Sequence, residues 1–433
     1  MSRVYSFKGG VHPPEHKELT SDKKITPIPQ PKVATIPLLQ HVGSPCQATV
    51  QKGDSVKKGT LVGKSEKFIS AHIHSSISGR VKSIQNTPHP VIGRFLSVLI
   101  ENDGEDSAEK PISEGRNIEE LTPEEMRKSI RDAGIVGLGG AAFPTHVKLS
   151  PPKEKVIDTF IANGAECEPF LTCDHRLIVE KGEEIIKGIK IVQKILKPQR
   201  CIVAIEENKP DAIDNMRRLT EKEDIEVVSL KVRYPQGGEK QLIRAILGRE
   251  VPSGGLPMDV GVVVHNVGTL FSIYEAVYLR KSLYERVITV TGEVEKPGNY
   301  LVRIGTPIRD IVDFCGADVE RVGAIICGGP MMGVTQSSLD APVIKGTTAI
   351  LLQGKNQLLE REESPCIRCG RCVDVCPAYL IPTQIAKFVR AERWEKLGEF
   401  HIKDCIECGC CGYICPSNIP LVQYIKLGKS KMQ

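Results

Sequence analysis

Aromatic residues are scarce in this 433-residue chain, 5% overall with a single tryptophan. The formal net charge is only +5. Neither feature supports nucleic-acid binding, which needs a basic surface and side chains that stack on bases. The N-terminus, MSRVYSFKGGVHPPEHK, lacks the apolar core of a secretory leader. No long hydrophobic run is present either. The most apolar stretch, 260–273, is broken by His265 and Asn266 and falls short of the roughly 20 residues a spanning helix needs. A soluble protein is expected, one that docks on a membrane only through other proteins. Histidines are few, and His72, His74, His146 and His175 have no spacing that pairs them as metal ligands, so they read as structural or surface residues.

What the chain does have is cysteine, fifteen in all. Cys366, Cys369, Cys372 and Cys376 follow C-x2-C-x2-C-x3-C and precede Pro377; Cys405, Cys408, Cys411 and Cys415 repeat the spacing and precede Pro416. Each member of the second set follows its counterpart by 39 residues, so the segment is an internal duplication. This is the bacterial-ferredoxin pattern for two [4Fe–4S] clusters, in which the fourth cysteine serves the other cube. The expected sets are Cys366, Cys369, Cys372 and Cys415 for one cluster, and Cys405, Cys408, Cys411 and Cys376 for the other. Crossed ligation brings the cubes close, and a close pair conducts single electrons. Two zinc sites are the alternative, but zinc favours separated ligand pairs, often with histidine. Cys410 lies off the spacing and reads as a packed thiol beside a cluster. Cys46, Cys167, Cys173, Cys201, Cys315 and Cys327 are scattered, which fits a reducing compartment better than a disulfide framework.

The length allows two to four domains. Residues 1–32 read as an extended arm, and 33–103 as a small all-β unit. Its QKGDSVKKGTLVG and AHIHSSISGRVKSI segments resemble the barrel-sandwich fold of biotinyl and lipoyl carriers. The carrier lysine would sit at a hairpin tip, which here falls on Phe68; Lys67 is one residue off and would face the other side. A structural β unit is therefore expected. Residues 104–122 are an acidic linker, and 121–133 a helix with Thr122 as N-cap, Pro123 at N1 and Glu125 at N3. The runs VIDTFIANG, CIVAIEEN, IEVVSLKV and VGVVVHNV then alternate with helical stretches such as 177–196 and 240–247. That alternation predicts a parallel sheet with flanking helices over 120–283. Strand ends at Asn163, Glu206 and Asn266 put polar groups where such sheets bind ligands. Residues 284–345 read as a further β-rich module, and 360–425 as the cluster domain, with a helix over 382–399 between the two motifs.

The glycine-rich segment GIVGLGGAAFPTHVK, 134–148, does not fit the spacing of a dinucleotide fingerprint. It resembles the GRGGAGFPTGLKW loop of the flavin-bearing, NADH-oxidising subunit of bacterial complex I. Close-set glycines let backbone N–H groups approach a phosphate or flavin, and Lys148 adds positive charge. NGAECEP from Asn163, YPQGGEK from Tyr234 and NVGT from Asn266 match that family's N-A-D-E-S-E-P, Y-I-C-G-E-E-T and N-V-E-T in order, across about 135 residues. The resemblance implies that Gly137, Gly139, Gly140, Lys148, Asn163, Glu166, Gly237, Asn266 and Thr269 surround FMN. It also implies that Phe143, Glu168 and Glu239 face NAD(H). The chain departs from the family at Ala165, Gly238 and Leu149, and has no phenylalanine after Pro252 to stack on adenine. Read without the resemblance, Asn163 is a strand-end turn residue, Glu168 a solvated carboxylate and Tyr234 a packing residue.

In order, the parts are an arm with FKGGVHPP, a barrel-sandwich domain, a Rossmann-like FMN/NAD domain, a β-grasp-like module and an α-helical two-[4Fe–4S] ferredoxin-like domain. This multidomain α/β arrangement resembles the RnfC family, a component of the Rnf complex, the ion-translocating ferredoxin:NAD+ oxidoreductase. The resemblance implies two [4Fe–4S] clusters, FMN and NAD(H) as cofactors. It implies other subunits of a membrane electron-transport complex as partners, ferredoxin as an indirect one, and a peripheral place on the cytoplasmic face. NAD+ exchanges a hydride and a cluster one electron, so FMN must mediate, and no catalytic acid or base is required. A cobalamin reductase of the same superfamily is the alternative, although its flavin loop lies near the N-terminus. A cluster-only relay without flavin and a carrier-like binding module are the other two. The arm through Pro14 and the segment after Pro420 are the expected docking regions.

Overall fold

The computed structural model describes residues 4–109, 116–318, 320–358 and 362–432. Residues 110–115 of the expected linker lie outside the described residues, as do 1–3 of the arm, 319 of the β-rich module, 360–361 of the cluster domain and 433.

The aliphatic runs form a parallel sheet. Strands Glu226–Leu230, Arg200–Glu206, Thr159–Gly164 and Val262–Asn266 lie side by side in that order. Phe160, Ile161, Ala162, Ile202, Val203, Ala204 and Ile205 are fully buried, because helices cover both faces. Helices Cys173–Glu180, Gly182–Leu196, Pro210–Thr220 and Val267–Tyr278 pack on one face. Helix Glu239–Leu247 packs on the other. The chain steps outward from Thr159–Gly164 through two strands and then returns to its other side with Val262–Asn266. Strand order thus reverses beside Thr159–Gly164, and Asn163 pairs with Asn266 at the carboxyl edge of that switch point.

The helix Pro123–Asp132 starts as its sequence predicts, with Thr122 and Glu125 forming a reciprocal capping box. The helix expected over 177–196 is two helices, broken at Lys181. A Cβ on Gly182 would lie 2.6 Å from Leu219 and 2.9 Å from Asn215, so the break lets the chain pass close to its neighbour. The helix expected over 382–399 stops at Arg390. Glu392 takes a left-handed φ of 53°, and Arg393 N–H returns to Phe388 O, a Schellman-type ending that no glycine announces.

Residues 33–102 form two small antiparallel sheets around Ile36, Val62, Ile73, Ile77, Val81, Val98 and Ile100, all fully buried. The tip carrying Phe68 is docked on the sheet domain, where Phe68 O accepts from His146 Nε2 at 3.0 Å. The β-rich module is a mixed sheet in which Glu285–Gly292 pairs with Gly298–Arg303 on one side and Ala349–Gly354 on the other.

Both chain ends expected as docking regions are ordered. Val4–Tyr5 adds a parallel strand to the sheet domain, and Ile25–Pro27 adds one to the β-rich module. The segment after Pro420 is ordered too. It forms helix Leu421–Lys431, which buries Leu421, Ile425 and Gly428 inside the cluster domain. Both are held by partners distant in sequence, which composition does not reveal.

The fully buried Lys345 joins three units. Its ammonium donates to His72 O at 2.5 Å and Gly134 O at 2.7 Å, while its carbonyl accepts from Arg286. Burial pulls its pKa down to about 7.

Candidate functional site: a flavin-type cradle facing a cysteine cage

The duplication seen in the cysteines recurs in the backbone. Arg368 and Glu407 have φ of 57°, Gly370 and Gly409 have φ of 78° and 84°, and Tyr379 and Asn418 have φ of 57° and 50°. Short helices Arg371–Asp374 and Cys410–Tyr413 occupy equivalent places. In each motif the N–H two residues on donates to the first sulfur, Arg368 to Cys366 and Glu407 to Cys405, both at 3.4 Å. Folding the two copies together exchanges their fourth cysteines. Cys376 lines one cavity with Cys405, Cys408 and Cys411. Cys415 packs with Cys372 around Leu421, and the electrostatic neighbours of Cys372 are Cys415 and Cys366. Three cysteines of one motif with the fourth of the other is the crossed arrangement of two-cluster ferredoxins.

The two cages have different surroundings. Cys366 and Cys369 are exposed, whereas Cys376, Cys408 and Cys411 are buried. Cys408 and Cys410 pack with Val11, Tyr234, Cys167 and Met331, so the second cage faces the sheet domain. Cys410 Sγ lies 3.8 Å from Tyr234 O, the packed thiol that the spacing predicts. Gln241 Nε2 to Pro377 O and Ser253 Oγ to Asp404 Oδ2, at 3.2 and 2.5 Å, close the interface.

On the sheet side, the four matched segments converge at the switch point. Asn163 Nδ2 donates to Gly237 O at 2.9 Å. Asn266 caps the helix after it, its Oδ1 accepting from Gly268 and Thr269 N–H at 2.8 and 3.3 Å. Thr269 Oγ1 accepts from Leu138 N–H at 2.9 Å, which pins the glycine loop to that helix. Gly137 N–H closes the loop on Phe143 O at 2.8 Å, and Gly139 sits against Asn266. Gly237 is required by its neighbour, since a Cβ there would lie 2.5 Å from Ala165 O. Gly140 differs: its φ of +117° demands glycine, yet its missing Cβ faces open space. Glu166 is buried and caps helix Cys173–Glu180, accepting from Asp174 N–H at 2.9 Å, His175 N–H at 3.3 Å and Cys173 Sγ at 3.4 Å.

The charged residues are engaged within the protein. Lys148 donates to Glu239 and, at 2.8 Å, to Val264 O. Glu168 accepts from the backbone N–H groups of Met331 and Met332 at 3.2 and 2.9 Å. Burial pushes its pKa up to about 7. A nucleotide contact at Glu239 or Glu168 therefore competes with existing partners. Phe143 is half-buried at the loop. Some polar atoms have no partner at all. The hydroxyl of Tyr234, both amide atoms of Gln236 and Nε2 of His265 are buried and unbonded. Buried groups of this kind normally find a partner. The open face of Gly140 is where the loop leaves room for a flavin to approach its backbone.

Sequence reasoning missed several contributors. Asp174 accepts from Asn266 Nδ2 at 2.6 Å, and burial with the neighbouring Glu166 charge pushes its pKa to about 7. Arg286, from the β-rich module, donates to Leu138 O in the glycine loop at 3.1 Å. Loop 328–333 of that module reaches Glu168 on one side and Gly409 of the cluster domain on the other. None has a motif of its own, and only the fold brings them here.

Comparison with known proteins gives a consistent picture. Four family models match in tandem: an RnfC barrel sandwich hybrid domain over 5–105, a Nuo51 FMN-binding domain over 130–275, an SLBB domain over 287–335 and a 4Fe-4S dicluster domain over 365–419. The C component of the proton-translocating ferredoxin:NAD(+) oxidoreductase complex of Clostridium ljungdahlii is 49% identical, over 98% of this chain and 94% of that protein. Its counterpart in the Na(+)-translocating complex of Acetobacterium woodii is 44% identical, over 99% and 97%. The chain spans 66% of the corresponding component of a Haemophilus influenzae ion-translocating oxidoreductase complex, at 42% identity. Among solved structures, a chain of an NAD+-reducing [NiFe]-hydrogenase in the H2-reduced state shares the fold. Its TM-score is 0.50 at 18% identity, covering 72% of this chain and 61% of that one. By full-length identity to these relatives, the chain belongs to the RnfC family of the ion-translocating ferredoxin:NAD+ oxidoreductases.

Proposed function

We propose that this chain is the NAD(H)-facing, peripheral electron-transfer subunit of a membrane-bound ferredoxin:NAD+ oxidoreductase. The observation that carries the proposal is the placement of a four-cysteine cage directly against a flavin-type cradle, with Tyr234 and Cys410 at their contact. Cys405, Cys408, Cys411 and Cys376 would hold the inner [4Fe–4S] cluster, and Cys366, Cys369, Cys372 and Cys415 the outer one. Gly137, Gly139, Gly140, Lys148, Asn163, Glu166, Gly237, Asn266 and Thr269 would form the FMN cradle. Phe143, Glu168 and Glu239 are assigned to NAD(H). Bound FMN supplies exchange between a two-electron hydride and single electrons.

The protein's own contribution is position. The glycine loop offers backbone N–H groups, the two asparagines fix the switch point, and the module loop holds the Glu168 carboxylate. The exposed cage is the side open to partner subunits, with ferredoxin acting through them. Among the described residues no helix is long and apolar enough to cross a membrane, so attachment would be through partner subunits on the cytoplasmic face. The cobalamin-reductase alternative is displaced by the full-length relatives.

The purified, cofactor-loaded chain alone is expected to reduce an artificial one-electron dye with NADH, but not to reduce NAD+ with ferredoxin at a comparable rate. Rapid ferredoxin-dependent NAD+ reduction by the lone chain would make it a self-sufficient oxidoreductase instead.

A further inference from the structure

The arm delivers one side chain onto the turn that carries Glu166 and Glu168. Lys17 Nζ donates to Glu166 O at 2.9 Å, Glu168 O at 2.9 Å and Leu171 O at 2.5 Å. An ammonium has three donors, and here all three go to carbonyls of a single turn about 150 residues away. That turn presents both Glu166 and Glu168. The arm is seated on either side of Lys17: Phe170 N–H donates to Glu15 O at 2.7 Å, His16 stacks on Phe170 at 4.7 Å, and Thr20 Oγ1 meets Thr172 Oγ1 at 2.7 Å.

The charge is as notable as the geometry. Among the described residues, no carboxylate forms an ion pair with Lys17, whereas the neighbouring Lys209 is paired with Glu206 at 2.6 Å. Glu166, the nearest carboxylate in electrostatic terms, spends its oxygens on the cap of helix Cys173–Glu180. An ammonium taken out of water without an ion pair is costly, and the three carbonyl bonds offset that cost for Lys17. Held on that turn, it would offset negative charge arriving on the flavin.

We propose that Lys17 is a positioning residue of the flavin site, fixing the 166–171 turn through its three carbonyls and supplying buried positive charge beneath the cradle. This rests on the flavin reading above. The test compares wild type with Lys17→Met, which keeps the stem without donors or charge, and Lys17→Gln, which keeps donors without charge. FMN affinity is measured by titrating flavin-stripped protein, the flavin midpoint potential by spectroelectrochemistry, and iron content as the control.

Lys17→Met is expected to weaken FMN binding roughly tenfold or more, through the loosened 166–171 turn and the lost positive charge. Lys17→Gln should recover part of that affinity. Both variants should shift the flavin potential downward and keep their iron. Affinity within about twofold of wild type together with an unchanged potential would overturn the proposal. Loss of iron along with flavin would also overturn it, since Lys17 would then serve the fold as a whole. If wild type itself binds no FMN, it is the flavin reading that fails.

Discussion

Replacing Cys376 by serine is expected to remove the cluster held by the other motif. Cys376 lines the cavity with Cys405, Cys408 and Cys411, and the other three cysteines of its own motif do not line it. Conversely, Cys415→Ser should damage the outer cluster, because Cys415 packs beside Cys372. EPR of the reduced protein separates the cases. Wild type should show two interacting [4Fe–4S] signals and each variant one, with the survivor no longer broadened by its neighbour. The surroundings predict a second asymmetry. The outer cage, with Cys366 and Cys369 exposed, should lose iron to a chelator first. Two intact signals in both serine variants would rule out the crossed arrangement.

The glycine loop carries the other large effect. Gly140→Val forces a β-branched residue to a φ of +117° and fills the open face of the loop. Bound FMN should fall to a small fraction of wild type while the iron content stays near normal, since the cages lie in a separate domain. Lys148→Ala removes a cation from the cradle and leaves Glu239 without its partner. Loss of a charge-assisted hydrogen bond from Lys148 to bound FMN would cost about 1.5–3 kcal/mol, or roughly tenfold to a hundredfold in flavin affinity. Acid-released flavin per chain reads both variants. Full occupancy in each would move the flavin elsewhere.

The cluster domain was legible in the sequence because its ligand chemistry is local. Spacing within each motif, and its repetition, announce a cage before any fold is known. The parallel sheet was legible for a similar reason, since continuous aliphatic runs ending in Asn163, Glu206 and Asn266 mark buried strands with polar carboxyl ends. The identities of the flavin residues came from resemblance rather than spacing. What the sequence hid depends on contacts between distant segments. The two-residue strand Val4–Tyr5 is too short for a periodic signal and gains its order from Ser229 and Leu230. Lys17 sits in a segment with no helical or strand pattern, and only the fold brings it under Glu166 and Glu168. The break at Lys181 answers to Leu219 and Asn215, and the loop on Glu168 comes from the β-rich module, where the sequence marks no site residue.

If one chain joins a hydride-exchanging flavin to a pair of one-electron clusters, both cofactor types must be present in it and must exchange electrons. Anaerobic cofactor analysis followed by stopped-flow mixing with NADH tests this. One FMN and about eight irons with eight labile sulfides per chain are expected. Flavin absorbance should bleach first, and cluster absorbance should follow within the same molecules. A flavin-free chain, or a flavin that NADH reduces while the clusters stay oxidised by a reductant able to reduce them, would contradict this arrangement.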